Sequence, residues 1–268
     1  MKTLYRYNDN EISLDYKRDE NPDPTAFTMH THEQYEILYF VDGKAKYHIE
    51  GSEYPLNSGD LLIMRSNEAH YIELDPAQPY ERLAIHFDTA LLQKIDPDGL
   101  LLTPFRNRER GKNNLFTATD FPNENYLTYL LAVGNPSENQ RLQVVSNLLA
   151  LLNELYNAAE HRNTNTAPES TAYKIVQYVN THLTEEMSIE SICKQFYLSK
   201  PQLCRIFKRA TGSTVWNYIT IKRLYKAQRL IKRGTPTAQA ADLSGFGDYT
   251  SFYRAYRKQF SSSPKDIK

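Results

Sequence analysis

The sequence predicts an α+β protein in which an N-terminal β domain is followed by a C-terminal domain that is helical throughout. Three observations lead to this prediction. Up to about Asp88, short apolar and polar runs alternate between turn residues, which is the pattern of short antiparallel strands. Residues 163–170 are small, polar and proline-containing, as in interdomain linkers. Beyond them, apolar residues recur every three or four positions, as on one face of a helix.

Charge is divided unequally between these two parts of the chain. The formal net charge is zero, yet Ser170 to Lys268 holds 17 lysines and arginines against 6 acidic residues. Met1 to Glu169 holds 15 lysines and arginines against 26 acidic residues. The concentrated positive charge indicates that the C-terminal part binds a polyanion, whereas the acidic N-terminal part needs a different partner.

Cysteine content and the absence of apolar segments favour a cytoplasmic protein. The two cysteines of the chain, Cys193 and Cys204, are too few for a disulfide framework. The first residues lack the apolar core of a signal peptide, and no apolar run reaches membrane-spanning length. We therefore expect a cytoplasmic protein that has no membrane partner.

The N-terminal domain, residues 1–162, is expected to begin with a sandwich or small barrel of short strands. Asp42-Gly43 stands between two strand-like runs. Glycine tolerates the positive φ of a type I′ turn, so a hairpin is expected there. Further turns are expected at Gly51-Ser52 and Ser58-Gly59. The predicted strands are 35–41, 44–50, 60–64, 69–74 and 82–87.

A helical segment with a continuous apolar stripe follows the β region. Its apolar positions step by three and four residues, and Leu148 and Leu155 widen the stripe. Such a face packs on its own β domain or pairs with the same helix of a second subunit, and a helix with two faces can do both. A homodimer is therefore expected. The stripe consists of Leu142, Val145, Leu149, Leu152 and Tyr156.

The C-terminal domain, residues 171–268, contains one short pattern twice, 49 positions apart. Both copies open with a helix N-cap, Ser199 and Asp248. Each then has bulky apolar residues four and eight positions later, with basic residues on the opposite helix face. In each copy a short helix and a tight turn come first, which is the helix-turn-helix arrangement. The two motifs are expected at about 188–209 and 237–259, joined by a helix over 216–233.

Two helices of this kind suit contact with two stretches of DNA. The domain resembles, over essentially its full length, the DNA-binding domain of AraC/XylS-family transcription regulators. Three ordered segments at the family spacing carry the resemblance. They contain Ser199, Leu203, Arg205, Phe207, Lys208, Thr211 and Gly212, then Arg223, Leu224, Ala227, Leu230 and Ile231, then Ala241, Gly245, Phe246, Asp248, Phe252 and Arg254, with Ser263-Pro264-Lys265 near the end.

By analogy with that family, the two basic helices lie in successive segments of the major groove. Arg205 and Arg254 are expected to read base edges, because a guanidinium pairs bidentately with guanine, and Gln202 is expected to address adenine. The residues expected to contact phosphates, which position the protein without reading sequence, are Lys208, Arg209, Arg257 and Lys258. The outward positions are Lys200, Pro201, Gln202, Cys204, Arg205, Lys208 and Arg209 on the first helix, and Tyr249, Thr250, Tyr253, Arg254 and Arg257 on the second.

The N-terminal domain contains His30-Thr31-His32, Glu36 and Gly43, followed by Gly59-Asp60 and His70. The first set spells the first signature of the cupin fold and the second set resembles its second signature, so the domain resembles that fold. Residues two and four apart on a strand point the same way, so His30, His32 and Glu36 share a face if the strand extends back to His30. His70, from a later strand, can complete the cluster. The mouth of such a barrel offers a concave pocket for an organic effector. The expected pocket residues are His30, His32, Glu36, Tyr47, His70 and His86.

Three imidazoles and one carboxylate are also a credible site for one divalent transition metal. A second interpretation of the same region is therefore a metal-dependent sensor whose ligands are His30, His32, Glu36 and His70. No cofactor is assigned otherwise.

The predicted function is that of a ligand-responsive, sequence-specific DNA-binding transcription regulator, and not of an enzyme. The family resemblance implies a sugar as effector, activation of a carbohydrate-utilisation operon and contact with RNA polymerase. One alternative is the metal-dependent sensor regulator. Another is a cupin metalloenzyme fused to a DNA-binding domain, for which no further acid/base constellation is found.

Overall fold

A computed structural model describes residues 1–122, 125–133, 139–162 and 169–267. In these residues the N-terminal domain is built from short antiparallel strands, as predicted. The strands are β1 (Lys2–Asn8), β2 (Ile12–Asp19), β3 (Tyr35–Asp42), β4 (Ala45–Ile49), β5 (Ser52–Leu56), β6 (Leu61–Met64), β7 (His70–Leu74), β8 (Tyr80–Phe87) and β9 (Leu115–Phe116).

The described strands form two sheets that enclose one core. The larger sheet has the strand order β1-β2-β8-β3-β6-β9 and the smaller one β5-β4-β7. Because side chains alternate along a strand, one face of each sheet points to the shared interior. Leu38, Phe40 and Tyr80 of the larger sheet share a buried cluster there with Tyr47 and Ile72 of the smaller sheet. These two sheets form the β-rich N-terminal domain that the sequence predicts.

The five predicted strands are all present, and the strands that were not predicted have weak sequence signals. Most of β1 is exposed, and β2 is rich in charged residues. β5 contains Pro55, which an edge strand tolerates because its missing N–H needs no partner. β9 is two residues long.

The prediction of a hairpin at Asp42-Gly43 is wrong. β3 pairs with β6 and β8, and β4 pairs with β5 and β7, so the chain crosses here from one sheet to the other. Gly43 instead allows a close approach, since a Cβ there would lie 2.3 Å from the carbonyl oxygen of Pro79. The type I′ hairpin occurs one turn later, at Glu50-Gly51, where φ is +49° and +90°.

Helices cover the outer face of the larger sheet. They are α1 (Thr103–Arg106), α2 (Asn125–Val133) and α3 (Gln140–His161). The buried face of α3 is rotated slightly from the predicted stripe, because Leu142 is 69% exposed and Val145 is only half-buried. The residues that α3 buries are Val144, Leu148, Leu151, Leu152, Leu155 and Ala158.

The polar segment between α1 and β9, residues 107–114, is held in place by a buried ion pair. Arg108 Nη2 lies 2.6 Å from Glu68 Oε2, and both side chains are nearly inaccessible to solvent. The Gly111 amide donates a hydrogen bond to the other oxygen of Glu68. The loop therefore packs beside the β4–β5 hairpin, where a Cβ on Gly111 would lie 2.6 Å from the carbonyl oxygen of Ile49.

The C-terminal domain contains the two predicted helix-turn-helix units, α5–α6 and α8–α9, joined by α7. One core surrounds Phe207 and Tyr218, and a second surrounds Phe252 and Tyr256 at the far end of α7. In the described residues no helix is both long and apolar enough to cross a membrane. The helices are α4 (Thr171–Thr181), α5 (Ile189–Phe196), α6 (Lys200–Thr211), α7 (Val215–Lys232), α8 (Thr237–Leu243) and α9 (Tyr249–Phe260).

The predicted linker falls mostly outside the described residues, which omit 163–168. The contact between the two domains is described, however, and α4 packs on the β4–β5 hairpin. A Cβ on Gly51 would lie 2.9 Å from Val176 Cγ2 and 3.2 Å from Tyr173 Cα. Only a residue without a side chain lets the helix backbone approach this closely.

We expect Gly51→Ala to loosen this contact. Gly59→Ala is the matched control, because Gly59 has a similar φ of +94° but nothing within 4 Å of an added Cβ. Both variants carry the strain of a positive φ, whereas Gly51→Ala adds an overlap with α4 that costs about 1–3 kcal/mol more. Urea unfolding of the two variants measures the difference, and equal losses would show that the domains do not depend on this approach.

Candidate functional site

The helices α6 and α9 are anchored in the same way. Leu203 and Phe207 of α6 are at most 1% exposed, as are Phe252 and Tyr256 of α9. Each pair lies four residues apart and so forms one buried stripe. The opposite face of each helix consequently points to solvent.

Capping interactions fix the beginning of both helices. The carboxylate of Asp248 accepts a hydrogen bond of 2.8 Å from the Ser251 amide. At the start of α6 the side-chain oxygen of Gln202 accepts a hydrogen bond of 2.9 Å from the Ser199 amide. A bidentate contact with adenine needs that same oxygen, so Gln202 can read adenine in this manner only after it leaves the cap.

The predicted DNA-contacting side chains lie together on the two solvent faces. Tyr253 is half-buried, and its ring centroid is 6.3 Å from that of Tyr249. Every other residue of the set is exposed, and none of its cations forms an ion pair with a described residue. The exposed members are Lys200, Pro201, Gln202, Cys204, Arg205, Lys208 and Arg209 on α6, and Tyr249, Thr250, Arg254, Arg257 and Lys258 on α9.

A second group of predicted residues meets inside the N-terminal barrel, and we call it the histidine cluster. Glu36 Oε2 lies 2.9 Å from His32 Nε2, 3.2 Å from His70 Nε2 and 3.5 Å from His86 Nε2. The ring of His30 stands 4.3 Å from that of His70. The cluster comprises His30, His32, Glu36, His70 and His86, with Tyr47 stacked 5.8 Å from His70.

Backbone carbonyls fix the tautomer of three of these imidazoles. The Nδ1 atoms of His30, His32 and His70 lie 3.0, 2.9 and 2.8 Å from the carbonyl oxygens of residues 28, 34 and 68. A carbonyl oxygen only accepts, so each Nδ1 carries the proton and each Nε2 is left to face the cluster. Histidine ligands of metal sites are oriented in this way.

The charges of the cluster are strongly coupled. Burial would raise the pKa of Glu36, but the facing imidazoles of His86, His32 and His70 hold it well below its ordinary value. Burial acts to lower the pKa of His70, and the adjacent Glu36 carboxylate outweighs that effect and raises it. A negative carboxylate at the centre therefore favours a positive charge among the surrounding nitrogens.

His48 does not join this group. Its ring stacks on Tyr71 at 4.4 Å, and its Nε2 lies 3.3 Å from Glu73. Its neighbour Tyr47 points into the barrel, and consecutive residues of a strand face opposite sides.

A third group, the interface cluster, joins the two domains and was not predicted. Its centre is Glu50, whose side chain is fully buried and lies 2.5 Å from Lys222 Nζ of α7. Asn180 Nδ2 and the Tyr218 hydroxyl each donate a hydrogen bond of 2.6 Å to the other oxygen of Glu50. Lys222 also donates to the carbonyl oxygen of Asn67 at 2.6 Å. The interface cluster comprises Glu50, Asn67, Asn180, Tyr218 and Lys222.

The N-terminal side of the interface cluster is conformationally strained. Glu50 and Asn67 both have positive φ, 49° and 59°, which is uncommon for residues other than glycine. Burial would raise the pKa of Glu50, but Lys222 and Arg110 lower it to about 2. Burial lowers the pKa of Lys222, while Glu50 acts against that shift. Two strained residues thus present their oxygens to one lysine of the other domain.

Residues 67–70 connect the interface cluster to the histidine cluster. The carbonyl oxygen of Asn67 binds Lys222, and the Ala69 amide donates a hydrogen bond of 2.7 Å to Glu50 Oε1. The next residue is His70, whose Nδ1 donates back to the carbonyl oxygen of Glu68. One segment of four residues therefore contacts both the histidine cluster and the groups that bind Lys222.

A sequence signal for the interface cluster exists on α7. Val215, Tyr218 and Ile219 are buried and define its apolar face, and Lys222 continues the same three-and-four spacing. A lysine at an apolar position indicates a buried charge that needs a partner. Nothing in the sequence identifies Glu50 as that partner, since the pairing depends on the packing of the two domains.

Comparison with known protein families assigns both halves of the chain. A model described as the AraC-like ligand binding domain matches residues 14–174, and a helix-turn-helix domain model matches residues 192–268. The Msm operon regulatory protein of Streptococcus mutans serotype c is 22% identical, covering 97% of this chain and 94% of the relative. The HTH-type transcriptional activator RhaS of Enterobacter sp. (strain 638) is 26% identical, covering 91% of this chain and 88% of the relative.

Among solved structures, ToxT from Vibrio cholerae aligns over 96% of this chain and 97% of its own, with 17% identity and a TM-score of 0.40. The matched ligand-binding model spans more than half of the chain and carries the histidine cluster, and the helix-turn-helix model carries α6 and α9. The chain belongs to the AraC family of ligand-responsive, DNA-binding transcription regulators.

Proposed function

We propose that this regulator binds a specific operator through α6 and α9 and activates a sugar-utilisation operon in response to a small-molecule effector. The observation that carries the DNA-binding part is the pair of basic helix faces whose cations have no ion-pair partner among the described residues. Cations without a partner in the protein gain the most binding free energy from DNA phosphates, because their binding releases the counterions of DNA. The names of the S. mutans and Enterobacter relatives support operon regulation and activation.

Further features of the proposal rest on family membership and on the surface of α3. A homodimer is supported by the exposed Leu142 beside the half-buried Val145, since an apolar helix face in water favours association. Both relatives are regulators, which supports a role without catalysis, in the cytoplasm and in contact with RNA polymerase.

Within the DNA interface we propose different roles for arginines and lysines. Arg205 and Arg254 stand at equivalent positions of the two helices, and both are exposed. A guanidinium can satisfy two acceptors of guanine at once, whereas a lysine such as Lys208 acts as a point charge on phosphate.

Arg254→Ala is expected to weaken binding to a selected operator by about 1–3 kcal/mol and to relax preference at one base pair. Lys208→Ala is the comparison, because it should weaken all sequences about equally and reduce the salt dependence of binding. The operator is first selected from a random DNA pool, and affinities are then measured on cognate and scrambled duplexes. Equal losses on both duplexes for Arg254→Ala would refute its base-reading role.

We propose that the effector acts through the interface cluster. A ligand that contacts the histidine cluster alters residues 67–70, which hold Lys222 and Glu50. The arrangement in which the domains are joined would bind DNA weakly, because it holds acidic residues beside α6. Tyr71 donates a hydrogen bond to the carbonyl oxygen of Arg209, and Glu53 lines with Arg209 an interdomain cleft of about 580 Å³. Release of the cluster would move the Glu53 carboxylate, which interacts electrostatically with Arg209, away from α6.

Lys222→Met is expected to raise operator affinity at least about tenfold without effector. It leaves Glu50 buried without its counter-charge, at a cost of about 3–5 kcal/mol that is relieved when the domains separate. Combining it with Glu50→Gln removes the unpaired charge and should bring affinity back toward that of the unmodified protein. Lys226→Met, one turn along α7, is the control for loss of a positive charge.

Affinity is measured by fluorescence anisotropy, and melting curves verify that each variant is folded. If Lys222→Met binds the operator no more tightly than Lys226→Met, the domains are not held in a weakly binding state by this cluster.

A second candidate, a metal-dependent sensor, is favoured by one specific observation. The fully buried His70 Nε2 makes no hydrogen bond within the described residues although it is 3.2 Å from Glu36. The ligand atoms of His30, His32 and His70 lie within 4.8 Å of one another. Imidazole nitrogens with a carboxylate suit Zn²⁺, Fe²⁺ or Ni²⁺, which would supply the positive charge that the cluster favours.

For this candidate, elemental analysis of the purified protein should find one metal ion per chain. His32→Ala should lose that ion, whereas His48→Ala, which removes a histidine outside the barrel, should retain it. Substoichiometric metal in the unmodified protein after incubation with zinc, iron or nickel salts and desalting would exclude this candidate.

A further inference from the structure

A small cavity lies in the barrel between the histidine cluster and Arg82 of β8. Its volume is about 90 Å³, room for several water molecules or for a small organic molecule. Arg82 faces this cavity together with Ala84 and His86, since residues two apart on a strand share a face. The remaining lining residues are Phe27, His30, Glu36, Leu38, Tyr47, Ile72 and Tyr80.

Arg82 has no ion-pair partner among the described residues. Its guanidinium lies 5.6 Å from the centroid of the Tyr80 ring, and the side chain is partly buried. A guanidinium removed from water needs hydrogen-bond acceptors, and a neutral aromatic ring supplies only part of that stabilisation. Arg82 also hydrogen-bonds to the Tyr80 side chain, which engages only part of its five N–H donors, so the others remain available to a ligand in the cavity.

The carboxylates nearest to Arg82 are already engaged elsewhere. Glu36 Oε2 lies within 3.5 Å of His32, His70 and His86. Asp15, on the neighbouring strand β2, pairs with Arg6 at 2.7 Å and with Lys17 at 3.1 Å. Among the described residues, these carboxylates leave Arg82 without an anion of its own.

The other residues that line the cavity indicate which further chemical groups the ligand carries. Leu38, Ile72 and Ala84 supply an apolar surface, whereas the Tyr47 and Tyr80 hydroxyls and the imidazole of His30 can donate or accept hydrogen bonds. We propose that the effector is a small organic acid. Its carboxylate would pair with Arg82, and an adjacent hydroxyl would hydrogen-bond to Tyr47, Tyr80 or His30. This inference rests on the effector pocket proposed above and names the chemical class that enters it.

Lactate is the simplest probe of this class, and lactamide is its neutral counterpart of nearly equal shape. At concentrations up to about 100 mM and constant ionic strength, lactate should raise the melting temperature of the full chain, because a ligand that binds only the folded state stabilises it. Lactamide should bind at least tenfold more weakly, since it cannot form a charge-assisted pair with a guanidinium.

Arg82→Gln should weaken lactate binding at least tenfold, and Arg82→Lys should retain part of it because the positive charge remains. Lys17→Gln is the matched control, since Lys17 stands opposite Arg82 in the β2–β8 register and already pairs with Asp15. It should leave lactate binding unchanged. Arg82→Lys also serves as the working variant should Arg82→Gln fail to fold.

Three results would overturn the inference. They are the absence of any lactate-induced stabilisation, equal stabilisation by lactamide, or an unchanged response in Arg82→Gln. Equal binding of lactate and lactamide, lost in a Tyr47→Phe variant, would reject the acid but leave the effector pocket in place. Operator selection with the same preparations tests the DNA-binding function separately.

Discussion

The buried ion pair between Glu50 and Lys222 is the interaction on which the arrangement of this protein depends. Each charge comes from a different domain, and neither is exposed to the water that would otherwise stabilise it. Removing one partner of such a pair leaves the other charge buried without a counter-charge, so the loss of either residue favours separation of the two domains. The strained backbone of Glu50 and Asn67 fits this view, because tertiary packing must hold it in place.

In the proposed mechanism, the ion pair links the pocket in the barrel to the DNA-binding domain. Four consecutive residues, 67–70, carry an oxygen that binds Lys222, an amide that binds Glu50 and an imidazole of the histidine cluster. No long chain of contacts is required, since the pocket and the domain interface share one short segment. Coupling between the two sites then follows from a ligand that prefers one position of this segment.

Much of this architecture could be predicted from the sequence. The repeated pattern at Ser199 and Asp248 located both helix-turn-helix units, because helix caps and apolar spacing are local properties. The pocket histidines follow from the resemblance to the cupin signature and not from strand spacing, since His30 and His32 precede β3, which begins at Tyr35. The sequence predicts only a turn at Gly51-Ser52 and places the hairpin at Asp42-Gly43, because strand pairing is decided by the whole sheet and not by local turn residues. The partners of Glu50 in the C-terminal domain are 130 to 172 positions away in the chain, beyond the reach of local patterns.

Hydrogen exchange followed by mass spectrometry, comparing Lys222→Met with the unmodified protein, tests the central claim most directly. The account predicts faster exchange in α4, in the β4–β5 hairpin and in residues 67–70, with α8 and α9 unchanged, because only the domain contact is released. Exchange rates that are the same in both proteins throughout these segments would contradict it, since the ion pair would then not hold the domains together.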